Sequence, residues 1–118
     1  MEDHWRAWSL MGLLLWMVAA HSSAQGAKEL QVTAEEFSYH PATIDVPAGE
    51  VRIVVTNQGS FPHGFAIVDR KEGIDFLDAG ETKRLTLRFD QPGEIVFYCP
   101  QPGHRDRGME GKLVIGNP

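Results

Sequence analysis

The chain alternates short apolar stretches with turns that contain proline or glycine, and this pattern constrains its fold more than any other feature. The clearest stretch is 84–89, in which Leu85, Leu87 and Phe89 fall on one face. A period of two residues is the pattern of a strand with one buried face. After the first 24 residues, no window keeps a helical period for three turns. The sequence therefore predicts an all-β fold, a β-sandwich of about seven to eight strands.

Seven stretches are predicted as strands. They are 29–33, 42–46, 51–56, 65–68, 84–89, 95–98 and 112–115. The polar stretch 69–81 has five acidic and two basic residues, and Gly73 and Gly80 interrupt it. It is predicted to be a solvated loop, with a docking patch for a charged partner as the alternative.

Residues 1–24 have the pattern of a secretory leader. A polar start precedes the apolar run 10–20, and the small residues Ser22, Ser23 and Ala24 follow it. This run is shorter than the roughly 20 residues that cross a bilayer as a helix. The predicted organisation is a leader at 1–24, or alternatively an uncleaved anchor, followed by one domain at 25–118. The leader predicts export to the periplasm or the extracytoplasmic face of the membrane.

Charge and cysteine content exclude several classes of function. The 118 residues carry 11 Lys and Arg against 16 Asp and Glu, a net charge of -5. The chain therefore lacks the basic surface that nucleic acid requires. Its single cysteine, Cys99, excludes an intramolecular disulfide and a zinc site built from several cysteines.

One loop carries three residues that bind metals. Cys99, His104 and Met109 follow at five-residue steps between two predicted strands, and His63 lies 36 residues upstream of Cys99. Soft sulfur favours Cu(I) and imidazole suits Cu(II), so a trigonal Cys-His-His set with a weak axial methionine serves both oxidation states. Zinc fits worse, because thioether is not among its usual ligands. Copper is the predicted metal.

Short motifs elsewhere in the chain extend this pattern. They are the Glu-Phe pair 36–37, Ile-Asp-Val-Pro-Ala-Gly at 44–49, Gly-Glu-Thr at 80–82, Pro-Gly at 92–93, and Met-Glu-Gly-Lys-Leu-Val-Ile at 109–115. With them the chain resembles the small blue copper proteins, the cupredoxins, over nearly all of the predicted domain. The spacing of its ligand loop is similar to that of rusticyanin and auracyanin, and longer than that of plastocyanin.

The resemblance implies a Greek-key sandwich with one type 1 copper ion near one end. His63, Cys99 and His104 would be the equatorial ligands and Met109 the axial one. The chain departs from the family at Gly64, where many members carry an asparagine whose side chain braces the ligand loop. That brace is predicted to be absent, and contacts of this kind tune a metal site.

These features predict an electron carrier rather than an enzyme. The chain would pass single electrons between transient redox protein partners, as a monomer that meets a membrane only through partners or an uncleaved leader. The alternative is a periplasmic copper carrier or buffer. A thiol enzyme is disfavoured, because no orienting acid is evident beside Cys99. A multicopper oxidase needs further histidines, and outside the leader only His40 is left.

Other residues have plainer predicted roles. Phe37, Tyr39 and Phe97 are predicted to fill the core, and His40 is predicted to be a surface or structural residue. Arg105 and Arg107 stand beside His104. They would either attract an acidic redox partner or serve the solubility of the loop.

Overall fold

A computed structural model describes residues 27–118 of the protein. The predicted leader at 1–24 lies outside these residues. Within them the chain forms nine strands and one short 3-10 helix, Arg105–Arg107. The strands are β1 (Lys28–Glu35), β2 (Ser38–His40), β3 (Thr43–Val46), β4 (Gly49–Asn57), β5 (His63–Ile67), β6 (Gly73–Leu77), β7 (Thr82–Phe89), β8 (Gly93–Tyr98) and β9 (Glu110–Ile115). Over the same span, no helix has the length and apolar character needed to cross a bilayer.

The strands form two sheets that pack face to face. One sheet has the order β2-β1-β4-β7 and the other the order β3-β9-β8-β5-β6. Two of the strand pairs are parallel, β1 with β4 and β3 with β9, and the other pairs are antiparallel. This arrangement confirms the predicted all-β sandwich, with nine strands in the described part instead of seven or eight.

The polar stretch 69–81 was predicted to be a solvated loop. This prediction is wrong in part, because the stretch contains the strand β6. Ile74 and Leu77 of this strand are buried, whereas Asp75 and Phe76 between them are exposed. β6 is an edge strand that pairs only with β5, so much of its surface faces solvent. Edge strands tolerate charged side chains. The acidic composition of the stretch suggested a loop, although backbone pairing with β5 holds part of it as a strand.

The core lies between the two sheets and confirms most of the predicted inward residues. Leu85, Leu87 and Phe89 all point inward from β7. Tyr39 and Phe97 are buried as predicted, and the Tyr39 ring meets the Phe97 ring edge-on. Phe37 differs, because its ring is only partly buried and packs at the margin of the core. His40 is exposed at the end of β2, as predicted.

Strand register brings distant residues to one end of the sandwich. In the antiparallel pair of β8 and β9, Tyr98 lies opposite Glu110, so Cys99 and Met109 lie side by side just beyond them. The Cys99 N–H donates to the Met109 carbonyl at 3.1 Å. β5 runs antiparallel to β8 on its other side, with Ala66 opposite Tyr98. His63, at the start of β5, therefore reaches the same end.

Candidate metal centre

Three of the predicted ligands meet at this end of the sandwich. Cys99 Sγ lies 3.5 Å from His104 Nδ1 and 4.0 Å from His63 Nδ1, and the two Nδ1 atoms are 3.2 Å apart. These are the candidate metal-binding donors that gather within the described part of the chain. His63 and Cys99 are buried, and His104 is half-buried. The thiol and the two imidazoles thus point their donor atoms at one shared space.

The donor separations suit a bound first-row metal ion. Bonds of about 2.1 Å to nitrogen and about 2.3 Å to sulfur, in one plane, place the donors about 3.6 to 3.8 Å apart. The observed separations of 3.2, 3.5 and 4.0 Å bracket this spacing. The side chains therefore need to move by only a few tenths of an ångström. A thiolate with two imidazoles is a donor set that suits copper in both of its oxidation states.

The surroundings of His63 set which ring nitrogen faces the site. Its Nε2 lies 3.4 Å from Glu36 Oε1. An ionised carboxylate has no proton to donate, so this oxygen can only accept a hydrogen bond. The proton therefore belongs on Nε2, which leaves the Nδ1 lone pair free to face the site. Burial is the main cause that holds the pKa of His63 below its ordinary value, and Glu36 opposes this effect. A neutral imidazole is the form that binds a metal.

Met109, the fourth predicted ligand, lies beside these three. Its side chain is fully buried, next to the end of β8. Its backbone N–H donates to the His104 carbonyl at 3.1 Å, and its own carbonyl accepts from the Cys99 N–H. The loop from Cys99 to Met109 is thus closed by backbone bonds that join its two ends and its middle. Met109 sits at the base of the loop, where backbone bonds join it to Cys99 and His104.

Gly64 is explained by the close approach of its neighbours. A Cβ at this position would lie 2.6 Å from the Ile74 carbonyl oxygen, 2.8 Å from the Asp75 carbonyl oxygen and 2.8 Å from Pro100 Cδ. The Tyr39 hydroxyl also donates to the Gly64 carbonyl at 2.5 Å. No side chain fits at position 64, so the asparagine of many cupredoxins has no room here.

Another residue supplies a brace for the ligand loop. The Gln101 side-chain amide donates to the Asp75 carbonyl at 2.9 Å, which ties the loop to the edge strand β6. Because Gln101 follows Cys99 by two residues, this bond holds the loop close to the thiol. The prediction that the asparagine brace is absent is correct, but Gln101 ties the same loop to β6.

Asn57 holds the segment that leads to His63. Its side-chain amide donates to the Phe61 carbonyl at 2.8 Å and to the Leu77 carbonyl at 2.9 Å, and its oxygen accepts from the Gly59 N–H at 2.8 Å. Asn57 is completely buried. A buried amide with all of these partners fixes the path of the loop, because leaving any of them unpaired is costly.

Sequence reasoning missed the site roles of Asn57, Gln101 and Glu36. The contacts of these residues join positions 20 to 27 apart in the chain, except the local ones around Asn57. Strand periodicity does not report such long-range contacts. The one local signal was the Asn57-Gln58-Gly59 segment, since asparagine often accepts from the N–H two residues on.

The outer edge of the site is aromatic and basic. Phe37 meets the His104 ring edge-on, with the ring centroids 5.2 Å apart. The Arg107 guanidinium lies 4.7 Å above the Phe37 ring. Arg105 lies 4.2 Å above the Tyr98 ring and forms an ion pair with Glu110 at 3.1 Å. His104 therefore reaches the surface between side chains that carry positive charge.

Fold and site together define a class of protein. A β-sandwich that gathers a thiol, two imidazoles and a buried methionine at one end is a copper-binding domain of the electron-transfer type. A family model described as a cupredoxin-like domain matches residues 8–115, and the chain belongs to that family. These findings confirm the predicted resemblance, and they confirm one copper ion as the cofactor.

Comparison with individual proteins gives relatives that include a copper-resistance protein and an oxidase subunit. The chain is 31% identical over 104 residues to the copper-resistant cuproprotein CopI of Rubrivivax gelatinosus, a match that covers 71% of this chain and 63% of CopI. It is 30% identical over 87 residues to cytochrome c oxidase subunit 2 of Thermus thermophilus, covering 71% of this chain and 62% of that subunit. The chain thus spans about three fifths of the length of these relatives.

A solved structure shares the fold. Reduced auracyanin from the photosynthetic bacterium Roseiflexus castenholzii superposes with a TM-score of 0.69 at 20% identity. The match covers 77% of this chain and 99% of auracyanin. At this level of identity the likeness shows that the two proteins have the same sandwich.

Proposed function

We propose that the protein is an exported carrier of single electrons, in which His63, Cys99, His104 and Met109 would hold one copper ion. The observation that carries this proposal is the meeting of the thiol and the two imidazoles, with donor separations of 3.2 to 4.0 Å. Copper bound by such a set alternates between Cu(II) and Cu(I). The protein's part is to hold the donors still, so that little rearrangement accompanies the gain or loss of an electron.

The surroundings of the donors support a rigid site. Cys99, His104 and Met109 are linked by backbone hydrogen bonds, and Gln101 ties their loop to β6. His63 is buried and begins a strand. Side chains that are held in this way before the metal binds change little when its charge changes.

His104 is the proposed point of electron exit. It is the half-buried member of the donor set, whereas His63 and Cys99 are buried. Arg105 and Arg107 flank it and would attract an acidic partner by charge complementarity. The predicted transient redox partners would dock here, and a route from Cys99 through Tyr98 is the alternative. Neither route requires the protein to be an enzyme.

Copper carriage is the second candidate function. The relative CopI is named as a copper-resistant cuproprotein, which favours a role in copper handling. The buried ligands and the fastened loop favour retention of the ion instead. A transfer assay separates the two functions. A carrier passes its copper to an apo-acceptor, whereas an electron carrier keeps it through many cycles of reduction and oxidation.

The spectrum of the copper-loaded protein tests the proposed function directly. We expect a blue protein, because charge transfer from the Cys99 thiolate to Cu(II) absorbs visible light. The paramagnetic signal of Cu(II) is expected to disappear on one-electron reduction and to return on reoxidation. A colourless Cu(II) protein would contradict the proposal.

Met109→Leu tests the axial ligand. Leucine fills nearly the same volume, so the fold should lose less than about 1.5 kcal/mol. Loss of the thioether removes one donor, and Cu(II) loses more stabilisation than Cu(I) because it carries the higher charge, so the reduction potential is expected to rise. A tenfold shift in the ratio of Cu(I) to Cu(II) affinity raises it by about 59 mV. The variant should stay blue, and an unchanged potential in voltammetry would show that Met109 is not a ligand.

A further inference from the structure

The Glu36 carboxylate gathers three donors on one oxygen atom. Oε1 accepts from the Ser60 N–H at 2.6 Å and the Phe61 N–H at 3.0 Å, and it lies 3.4 Å from His63 Nε2. About a third of the side chain is exposed, while the imidazole it faces is completely buried. The two backbone N–H groups fix the carboxylate in place. They are also the main cause that holds its pKa below the ordinary range.

The chain leaves space for this carboxylate at Gly59. A Cβ at that position would overlap the Glu36 carboxylate and would lie 3.0 Å from His63 Nε2. The absence of a side chain therefore lets the loop close around the carboxylate and the imidazole together. The buried Asn57 side chain accepts from the Gly59 N–H, and this bond fixes the loop at Gly59 beside the carboxylate and the imidazole.

The turn that carries Glu36 also reaches the second imidazole. Glu36 and Phe37 join β1 to β2, and Phe37 has a positive φ of 61°. This left-handed conformation is uncommon for a residue with a large side chain. It places the Phe37 ring against the edge of His104, while Glu36 faces His63. One turn, outside the ligand loop, thus contacts both imidazoles.

We propose that Glu36 is a positioning residue that acts on the copper ion through His63. The carboxylate holds the proton on Nε2 and so keeps the Nδ1 lone pair turned toward the site. Its negative charge makes the imidazole a stronger donor, which favours Cu(II) over Cu(I). A carboxylate behind a metal-bound histidine acts in this way at other metal centres. This inference rests on the proposed function, since it takes His63 as a ligand.

Glu36→Gln separates the charge of this residue from its shape. Glutamine keeps an oxygen that accepts from Ser60 and Phe61, but it carries no charge. We expect the ratio of Cu(I) to Cu(II) affinity to rise about tenfold, a rise of about 59 mV in reduction potential. The matched control is Glu35→Gln, which removes the same charge one residue away, where the carboxylate faces His40. The control should keep the native ratio within about twofold.

A second measurement uses the native protein without copper. The nitrogen chemical shifts of a histidine ring distinguish the two neutral tautomers. We expect His63 to carry its proton on Nε2 in the metal-free protein, and Glu36→Ala to give a mixture of tautomers. A purely structural role for Glu36 would change stability without changing the tautomer of the folded state.

The outcomes distinguish this inference from the proposed function. A blue Glu36→Gln protein with the native potential would overturn the role of Glu36 and leave the electron carrier intact. So would a native metal-free protein with the His63 proton on Nδ1. A native protein that binds Cu(II) without colour would overturn the proposed function itself, whatever Glu36 does.

Discussion

Replacement of Cys99 by serine is expected to abolish the blue colour completely. The serine hydroxyl does not ionise near neutral pH, so it supplies neither the soft ligand nor the charge-transfer band. The affinity for Cu(II) should fall by more than about 100-fold, a larger loss than substitutions behind a ligand cause. Titration with Cu(II), followed by visible absorption, measures both effects.

The control for Cys99→Ser is the integrity of the fold. Cys99 is buried, but serine is close to it in size. We expect the β-sheet signal in circular dichroism to be retained. Met109→Leu serves as the matched variant, because it changes a buried sulfur of the same loop and should remain blue. A Cys99→Ser protein that still shows the visible band would refute the ligand assignment.

Gly64→Ala is expected to destabilise the fold strongly. The new Cβ would press on two backbone oxygens of β6 and on Pro100, none of which is the free end of a flexible side chain. Overpacking of this kind costs about 1 to 3 kcal/mol, and contact with two backbone oxygens and a rigid proline ring places this case near 3 kcal/mol. Chemical denaturation of the copper-free protein measures the change in the free energy of unfolding.

Gly116→Ala is the matched control for this substitution. A Cβ there would come no closer than 3.9 Å to the Val46 carbonyl oxygen, so it meets no crowding. Its free energy of unfolding should stay within about 0.5 kcal/mol of the native value. If Gly64→Ala left the free energy of unfolding as little changed as this control, the close packing of β6 against Gly64 would be contradicted. The same Cβ pushes Pro100, so the copper spectrum should also change in Gly64→Ala alone.

The class of fold and most of the donor set could be predicted because both depend on residues that are close together in the sequence. The alternation in 84–89 reports a buried face, and the five-residue steps from Cys99 to Met109 place three donors in one loop. His63 was a fourth candidate donor because it precedes another predicted strand, 36 residues upstream of Cys99. These signals need no knowledge of how the two sheets pack.

The parts that sequence reasoning missed depend on how the sheets pack. β6 was hidden because its buried residues, Ile74 and Leu77, are three positions apart and so do not follow the two-residue period of a strand. The role of Glu36 depends on a contact across 27 positions, and its charge suggests an exposed residue. The sequence showed only that Gly64 lacks the asparagine side chain of many cupredoxins. The close approach of β6 explains why this position is glycine.

The position of β9 has a consequence for how the protein matures. This strand lies between β3 and β8, inside its sheet, although it follows the other eight described strands in sequence order. Until it inserts, Cys99 lacks the Met109 carbonyl that anchors it, and β3 has no partner in its sheet. During biosynthesis the thiol therefore emerges before the scaffold that shelters it exists. The donor set is therefore expected to assemble only after β9 has paired with both of its neighbours.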